Sequence, residues 1–145
     1  IGVYKIETME ELVQKFERNN DMMMIQKLIP NDGDTRVIVI KNKVELIVKR
    51  QVVDPKEFRS NVALGGKAVK TTLPQEIKDM CEDLSKHVPI CDILGFDILQ
   101  DLTDGKYYVM EINISPHIAT FCVVTGIDLP GVITKYIVDE IKKGN

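Results

Sequence analysis

Gly95-Phe96-Asp97-Ile98-Leu99, the turn Thr103-Asp104-Gly105-Lys106, and Tyr107-Tyr108-Val109-Met110-Glu111-Ile112-Asn113 together read as a β-hairpin with acidic residues set into apolar strands. The two strands are expected over Cys91–Asp101 and Lys106–Asn113, with Asp-Gly as the turn signal between them. Side chains alternate across a strand, so Glu111 and Asn113 share a face. An acid inside an apolar strand is costly unless it is paired or metal-bound. Three oxygen donors on neighbouring strands, Asp97, Glu111 and Asn113, suit a hard cation such as Mg2+. This reading makes a geometric demand. A two-residue Asp104-Gly105 turn would set Asp97 opposite Ile112, on the face away from Glu111. A three-residue Thr103-Asp104-Gly105 loop, or a β-bulge in the ladder, sets Asp97 opposite Glu111.

A second hairpin is expected upstream, with strands Thr35–Ile40 and Val44–Lys49 joined at Lys41-Asn42-Lys43. Before it, Val3–Ile6 reads as a short strand. Thr8-Met9-Glu10-Glu11 reads as a capping box that opens a helix to about Arg18, with Leu12, Val13 and Phe16 on one face. Asn19-Asn20-Asp21 ends that helix, and Met22–Leu28 reads as an apolar strand whose methionines pack in the core. Pro30-Asn31-Asp32-Gly33 is a turn cluster. Gln51–Leu64 is polar and irregular and is closed by Gly65-Gly66; Lys67–Thr72 is a further strand. Pro74 opens a helix to about His87, with Ile77, Met80, Cys81 and Leu84 as its apolar stripe. A last helix covers Leu129–Lys143, with Val132, Ile133, Tyr136, Ile137 and Ile141 inward and a basic final turn that suits the helix dipole. The class is α+β: a mainly antiparallel sheet packed by helices.

The 145 residues suffice for a sizeable core, and 44% hydrophobic with 28% charged residues is ordinary for a globular domain. A net charge of -3 gives no basic footprint, so nucleic acid is not the expected partner. No apolar run approaches the roughly 18 residues of a membrane span, so no membrane partner is expected. Cys81, Cys91 and Cys122 match no metal-binding spacing and read as buried free thiols of a reducing cytoplasm. The two histidines, His87 and His117, are too few for a histidine-based metal centre. His87 reads as a partner of a helix C-terminus.

Six short motifs occur in order: Gly33-Asp34-Thr35-Arg36-Val37, Phe58-Arg59-Ser60-Asn61, Gly65-Gly66, Gly95-Phe96-Asp97-Ile98-Leu99, Glu111-Ile112-Asn113 with Ser115-Pro116, and Thr125-Gly126-Ile127-Asp128. Each is weak alone, but the ordered set resembles the ATP-grasp ligases. The likeness is to the RimK-type branch, which attaches glutamate to ribosomal protein S6 and to cofactor side chains. It covers essentially the whole chain. It implies that residues 1–28 are the end of the central lid domain and residues 29–145 the C-terminal domain. Ile1-Gly2-Val3 resembles the tail of the family's glycine-rich loop. The chain is accordingly expected to be a C-terminal fragment that is inactive alone.

The resemblance implies ATP and Mg2+ as cofactors, with Mn2+ as an alternative ion. It assigns Asp97, Glu111 and Asn113 as metal ligands. Gln26, Lys27 and Leu28 match the segment that holds adenine by backbone groups, and Asp34 matches an acid associated with the nucleotide. Arg59, Ser60 and Asn61 match the phosphate- and substrate-facing loop. There Arg59 would stabilise the transferring phosphoryl group and Asn61 would position the reacting carboxylate. Arg36 is expected to support its strand or pair with an acid, and Arg50 to bind phosphate or a substrate carboxylate. Ser115-Pro116-His117 would line the acceptor site, where His117 departs from the glycine common in the family. The implied activity is a carboxylate–amine ligase acting through an acyl phosphate. Glutamate is the suggested carboxylate, and an amine or peptide is the acceptor; homo-oligomerisation is left open. A non-catalytic nucleotide-binding module and an ATP-grasp kinase are the alternatives.

Overall fold

Two antiparallel hairpins lie side by side, and the short strand Lys67–Lys70 adds to one edge to complete a five-stranded sheet among the described residues. The computed structural model describes residues 3–18, 22–51 and 67–143. The elements in chain order are α1 (Met9–Arg18), β1 (Asp34–Ile40), β2 (Lys43–Gln51), β3 (Lys67–Lys70), α2 (Gln75–Ser85), β4 (Ile93–Gln100), β5 (Tyr107–Asn113), α3 (Ala119–Thr125) and α4 (Leu129–Lys143). The sheet order is β3-β2-β1-β4-β5, and every described strand pair is antiparallel, so the expected α+β class is the observed one.

The first hairpin turns on Lys41 and Asn42, both with positive φ (47° and 62°), and Ile40 pairs directly with Lys43. A two-residue turn of this hand matches the twist of the flanking strands, which draws Lys43 into β2 rather than into the loop. The second hairpin meets the geometric demand by the bulge. Gln100 pairs with Tyr107, Ile98 with Val109, and the register then shifts so that Asp97 faces Glu111. The loop itself, with Gly105 at φ 75°, leaves the even register in place. One extra residue on β5 corrects it.

Each sheet face buries its own apolar layer. On one face Val37, Val39, Leu94, Phe96 and Ile98 pack against α2 through Ile77, Met80, Cys81 and Leu84. On the other, Ile38, Ile40, Leu46 and Val48 pack under Phe121 of α3 and Leu129, Val132, Ile133 and Tyr136 of α4. The Tyr136 hydroxyl donates to Asp92 at 2.7 Å, which fastens α4 to the start of β4. That bond, with the cost of desolvation, pushes the phenol up to about 12. Thr125-Gly126-Ile127-Asp128 is the corner between α3 and α4. Gly126 closes α3 in the left-handed conformation, and Asp128 accepts from the Gly131 N–H at 3.0 Å to cap α4.

Several sequence expectations are corrected. Val3–Ile6 and Met22–Leu28 form no strand, because among the described residues no strand pairs with them to complete a ladder. Met22, Met24, Ile25 and Leu28 are exposed rather than packed in the core. Helix α1 forms as expected, with Thr8 Oγ1 accepting from the Glu11 N–H at 3.2 Å, yet it buries no residue, and Val13 and Phe16 face solvent. In α4, Ile137 and Ile141 are exposed, since only the stripe through Val132, Ile133 and Tyr136 reaches the sheet. Among the cysteines only Cys81 is buried; Cys91 and Cys122 are half-buried, and all three are free. Helix α3 was not expected from the sequence. Among the described residues, no helix is long and apolar enough to cross a membrane.

Candidate active site

The face that packs under α3 and α4 changes character along its strands. β1 presents Ile40 and Ile38 and then Arg36 and Asp34; β2 presents Leu46 and Val48 and then Arg50; β4 presents Gly95 and then Asp97. The cross-strand rows join these residues. Arg36 pairs with Asp97, and Asp97 with Glu111; Asp34 pairs with Arg50; Gly95 pairs with Asn113. Asp97, Glu111 and Asn113 therefore stand on one face of two adjacent strands.

The four inner charges neutralise one another. Arg36 donates from Nε and Nη2 to the two oxygens of Asp97, both at 2.6 Å. Arg50 donates from Nε to Asp34 Oδ1 at 2.8 Å and from Nη2 to Asp34 Oδ2. The same Nη2 lies 2.8 Å from Asp97 Oδ2. The result is an alternating chain, Asp34–Arg50–Asp97–Arg36, in which no residue is more than 9% exposed. The cost of placing Asp97 in an apolar strand is thus met by two guanidinium groups, which supply the pairing that buried charge requires. Burial opposes the charge on Arg50, but the hydrogen bonds and charges of Asp34 and Asp97 outweigh it and hold its pKa above the usual value.

A carboxylate offers about four lone-pair sites. In Asp97, Oδ2 meets two guanidinium donors and Oδ1 meets one, so the remaining capacity lies on Oδ1. The Glu111 side chain is exposed, and among the described residues no hydrogen bond or ion pair engages it. Asn113 Oδ1 accepts the Ser115 N–H at 3.0 Å. The ladder sets Glu111 directly across from Asp97, whose charge Arg36 and Arg50 already offset. The donor set fits Mg2+, which is held by one or two carboxylates and completes its shell with water and phosphate oxygens. No richer cluster of three or more His, Cys, Asp or Glu is present among the described residues.

Two glycines make the close packing possible. A Cβ on Gly95 would lie 2.8 Å from Pro116 Cβ and 3.6 Å from Arg36 Cδ, so Pro116 sits directly on the strand beside the ion chain. A Cβ on Gly33 (φ 117°) would lie 2.0 Å from the Arg50 carbonyl oxygen, so only glycine lets the start of β1 meet β2 there.

The remaining expected site residues are dispersed. Gln26, Lys27 and Leu28 lie in an exposed segment without regular structure that leads toward β1. His117 is exposed just after Pro116. Arg59, Ser60 and Asn61, with Gly65-Gly66, lie outside the described residues. Arg50, expected at phosphate or a substrate carboxylate, is instead taken by Asp34 and Asp97. Arg36 pairs with an acid, one of the two roles expected of it.

A family model described as a RimK-like ATP-grasp domain matches residues 1–137. The chain belongs to the RimK-like ATP-grasp family. Among curated relatives, the RimK-like domain is 33% identical over 149 residues to a probable alpha-L-glutamate ligase of Syntrophotalea carbinolica, covering 99% of this chain and 48% of that protein. It is 36% identical over 144 residues to a protein of the same description from Vibrio cholerae, covering 94% and 46%. The chain spans about half the length of the curated relatives it matches. Among solved structures it superposes with a TM-score of 0.63 and 26% identity on the ATP-grasp ligase PsnB, solved with a phosphomimetic precursor variant, Mg and ADP, covering 79% of this chain and 34% of that one. The macrocyclase MdnB of Microcystis aeruginosa, at 14% identity and a TM-score of 0.60 over 93% of this chain and 47% of that one, shares the fold.

Proposed function

We propose that this RimK-like domain supplies the metal-binding half of the active site of an ATP-dependent carboxylate–amine ligase. The observation that carries the reading is the bulged register that sets Asp97 opposite Glu111, with Asn113 on the same face, in a chain of the ATP-grasp family. Residues 1–28 are assigned to the end of the lid domain and residues 29–145 to the C-terminal domain. The relatives named as glutamate ligases support glutamate as the carboxylate, and PsnB with its precursor supports a peptide among the acceptors. The setting is cytoplasmic.

Asp97, Glu111 and Asn113 would hold Mg2+, or alternatively Mn2+. When bound, the ion neutralises phosphate charge during phosphoryl transfer. The backbone of Gln26, Lys27 and Leu28 would receive the adenine. Asp34, which keeps a lone pair on each oxygen beyond its bonds to Arg50, would accept from the ribose side of the nucleotide. Ser60 would contact phosphate, Arg59 would stabilise the migrating phosphoryl group, and Asn61 would help position the reacting carboxylate in line with it. That carboxylate takes the γ-phosphoryl group of ATP and releases ADP. The amine then attacks the acyl carbon, forming the amide and expelling phosphate, and the ammonium proton passes to solvent or a nearby base.

The test uses the full-length protein. ADP release should require both glutamate and an acceptor, with an amide as product, and should be lost in Asp97→Ala and Glu111→Ala. Normal turnover in both variants would end the proposal. A phosphorylated product in place of the amide would make the protein a kinase.

A further inference from the structure

We propose that Arg50 is a positioning residue that ties the nucleotide end of the site to its metal end. The inference rests on the assignment of Asp97 to the metal and Asp34 to the nucleotide made above. Its own basis is one shared donor. Nη2 of Arg50 bonds Asp34 Oδ2 and also lies 2.8 Å from Asp97 Oδ2, while Nε holds Asp34 Oδ1 at 2.8 Å. Asp34 and Asp97 sit on neighbouring strands one row apart, since Asp34 pairs with Leu99 and Arg36 with Asp97. Two buried carboxylates so close repel each other unless a cation lies between them, and Arg50 is that cation.

Arg36 provides the contrast. Among the described residues its fork serves Asp97 alone. Removing Arg36 loosens one acid, whereas altering Arg50 disturbs both. The planar guanidinium can direct separate N–H groups at two carboxylates, which a lysine ammonium cannot do with the same fixed geometry. The backbone reinforces the placement, because Gly33 lets the Arg50 carbonyl approach the start of β1 more closely than any Cβ would permit. Ligand held at Asp34 therefore changes how firmly Arg50 grips Asp97, and so how available Asp97 Oδ1 is to a cation.

The test measures binding rather than turnover, in the full-length protein, with Mn2+ as the metal probe and a non-hydrolysable ATP analogue assayed in chelator. Arg50→Lys is expected to raise the Kd for Mn2+ about tenfold, the usual scale for residues that orient a metal ligand, and to weaken metal-free analogue binding as well. Arg36→Lys is expected to weaken Mn2+ similarly and leave the metal-free analogue unchanged. Asp34→Asn, which leaves Arg50 intact, is expected to weaken Mn2+ about fivefold without nucleotide, within the range of ordinary coupling between sites. A merely structural role would lower the melting temperature of these variants but leave both Kd values unchanged well below it. Unchanged Mn2+ binding in Asp34→Asn, or an Arg50→Lys effect confined to Mn2+, overturns the bridging role. Unchanged Mn2+ binding in Asp97→Asn overturns the metal assignment itself, and so separates the two failures.

Discussion

Within one face of one sheet, β1 carries Ile38 and Ile40 toward one end and Asp34 and Arg36 toward the other, and all four are buried. The apolar end is covered by α3 and α4 of the same chain. Among the described residues the charged end has no helix with a comparable apolar layer, and Asp34, Arg36, Arg50 and Asp97 neutralise one another there. Equal burial is thus reached by two mechanisms. One is non-directional and tolerates repacking; the other depends on each donor finding its acceptor. The apolar end holds the sheet to its helices, and the charged end holds a carboxylate in a fixed pose beside Glu111.

Breaking the charged end should give the largest stability effect. Arg36→Met leaves a buried carboxylate short of a partner, at a cost of about 3–5 kcal/mol by denaturant titration. Adding Asp97→Asn should recover part of that loss. A cost under about 1 kcal/mol for the single variant would mean that the ion chain contributes nothing the sheet needs. At the apolar end, Leu46→Ala removes a side chain that is 2% exposed and should cost about 2–4 kcal/mol through the cavity it leaves. Unlike Arg36→Met, it should leave Mn2+ affinity unchanged in the protein that remains folded.

A smaller effect belongs to the opposite face. Burial, and secondarily Glu82, push the Cys81 thiol up from 9.0 to about 11. The raised pKa means that the folded state keeps a proton the unfolded chain has released. Its contribution is complete below pH 9 and is lost as pH rises to about 11. The denaturant midpoint should therefore fall over that window, and fall less steeply in Cys81→Ala. Identical slopes would contradict the burial argument.

How much of this was legible in the sequence follows from the range of the interactions. Both hairpins were readable, because turn residues and alternation are local. The register of the second was readable as a choice between an odd loop and a bulge, and the chain uses the bulge at Met110. Residues 22–28 look like a core strand because Met22, Met24 and Ile25 have core chemistry, yet burial depends on a neighbour the local pattern cannot supply. Helix α3 carries no clear local signal, because Ala119–Thr125 is short and rich in β-branched and aromatic residues, with no polar face to reveal a helical period. The proposed metal ligands Asp97 and Glu111 stand out as acids in apolar strands, but the pairing of Asp97 with Arg36 spans 61 positions and shows only in the sheet order.

Glu111 provides the most direct test of the central claim. Its side chain is exposed, and no described residue bonds to that side chain, so its replacement should not disturb the fold. In full-length Glu111→Gln, the melting temperature should match wild type while glutamate- and acceptor-dependent ADP release falls by about 100-fold or more, as expected when a ligand to a catalytic ion is lost. Wild-type ADP release from that variant would contradict the assignment of this strand pair as the metal site.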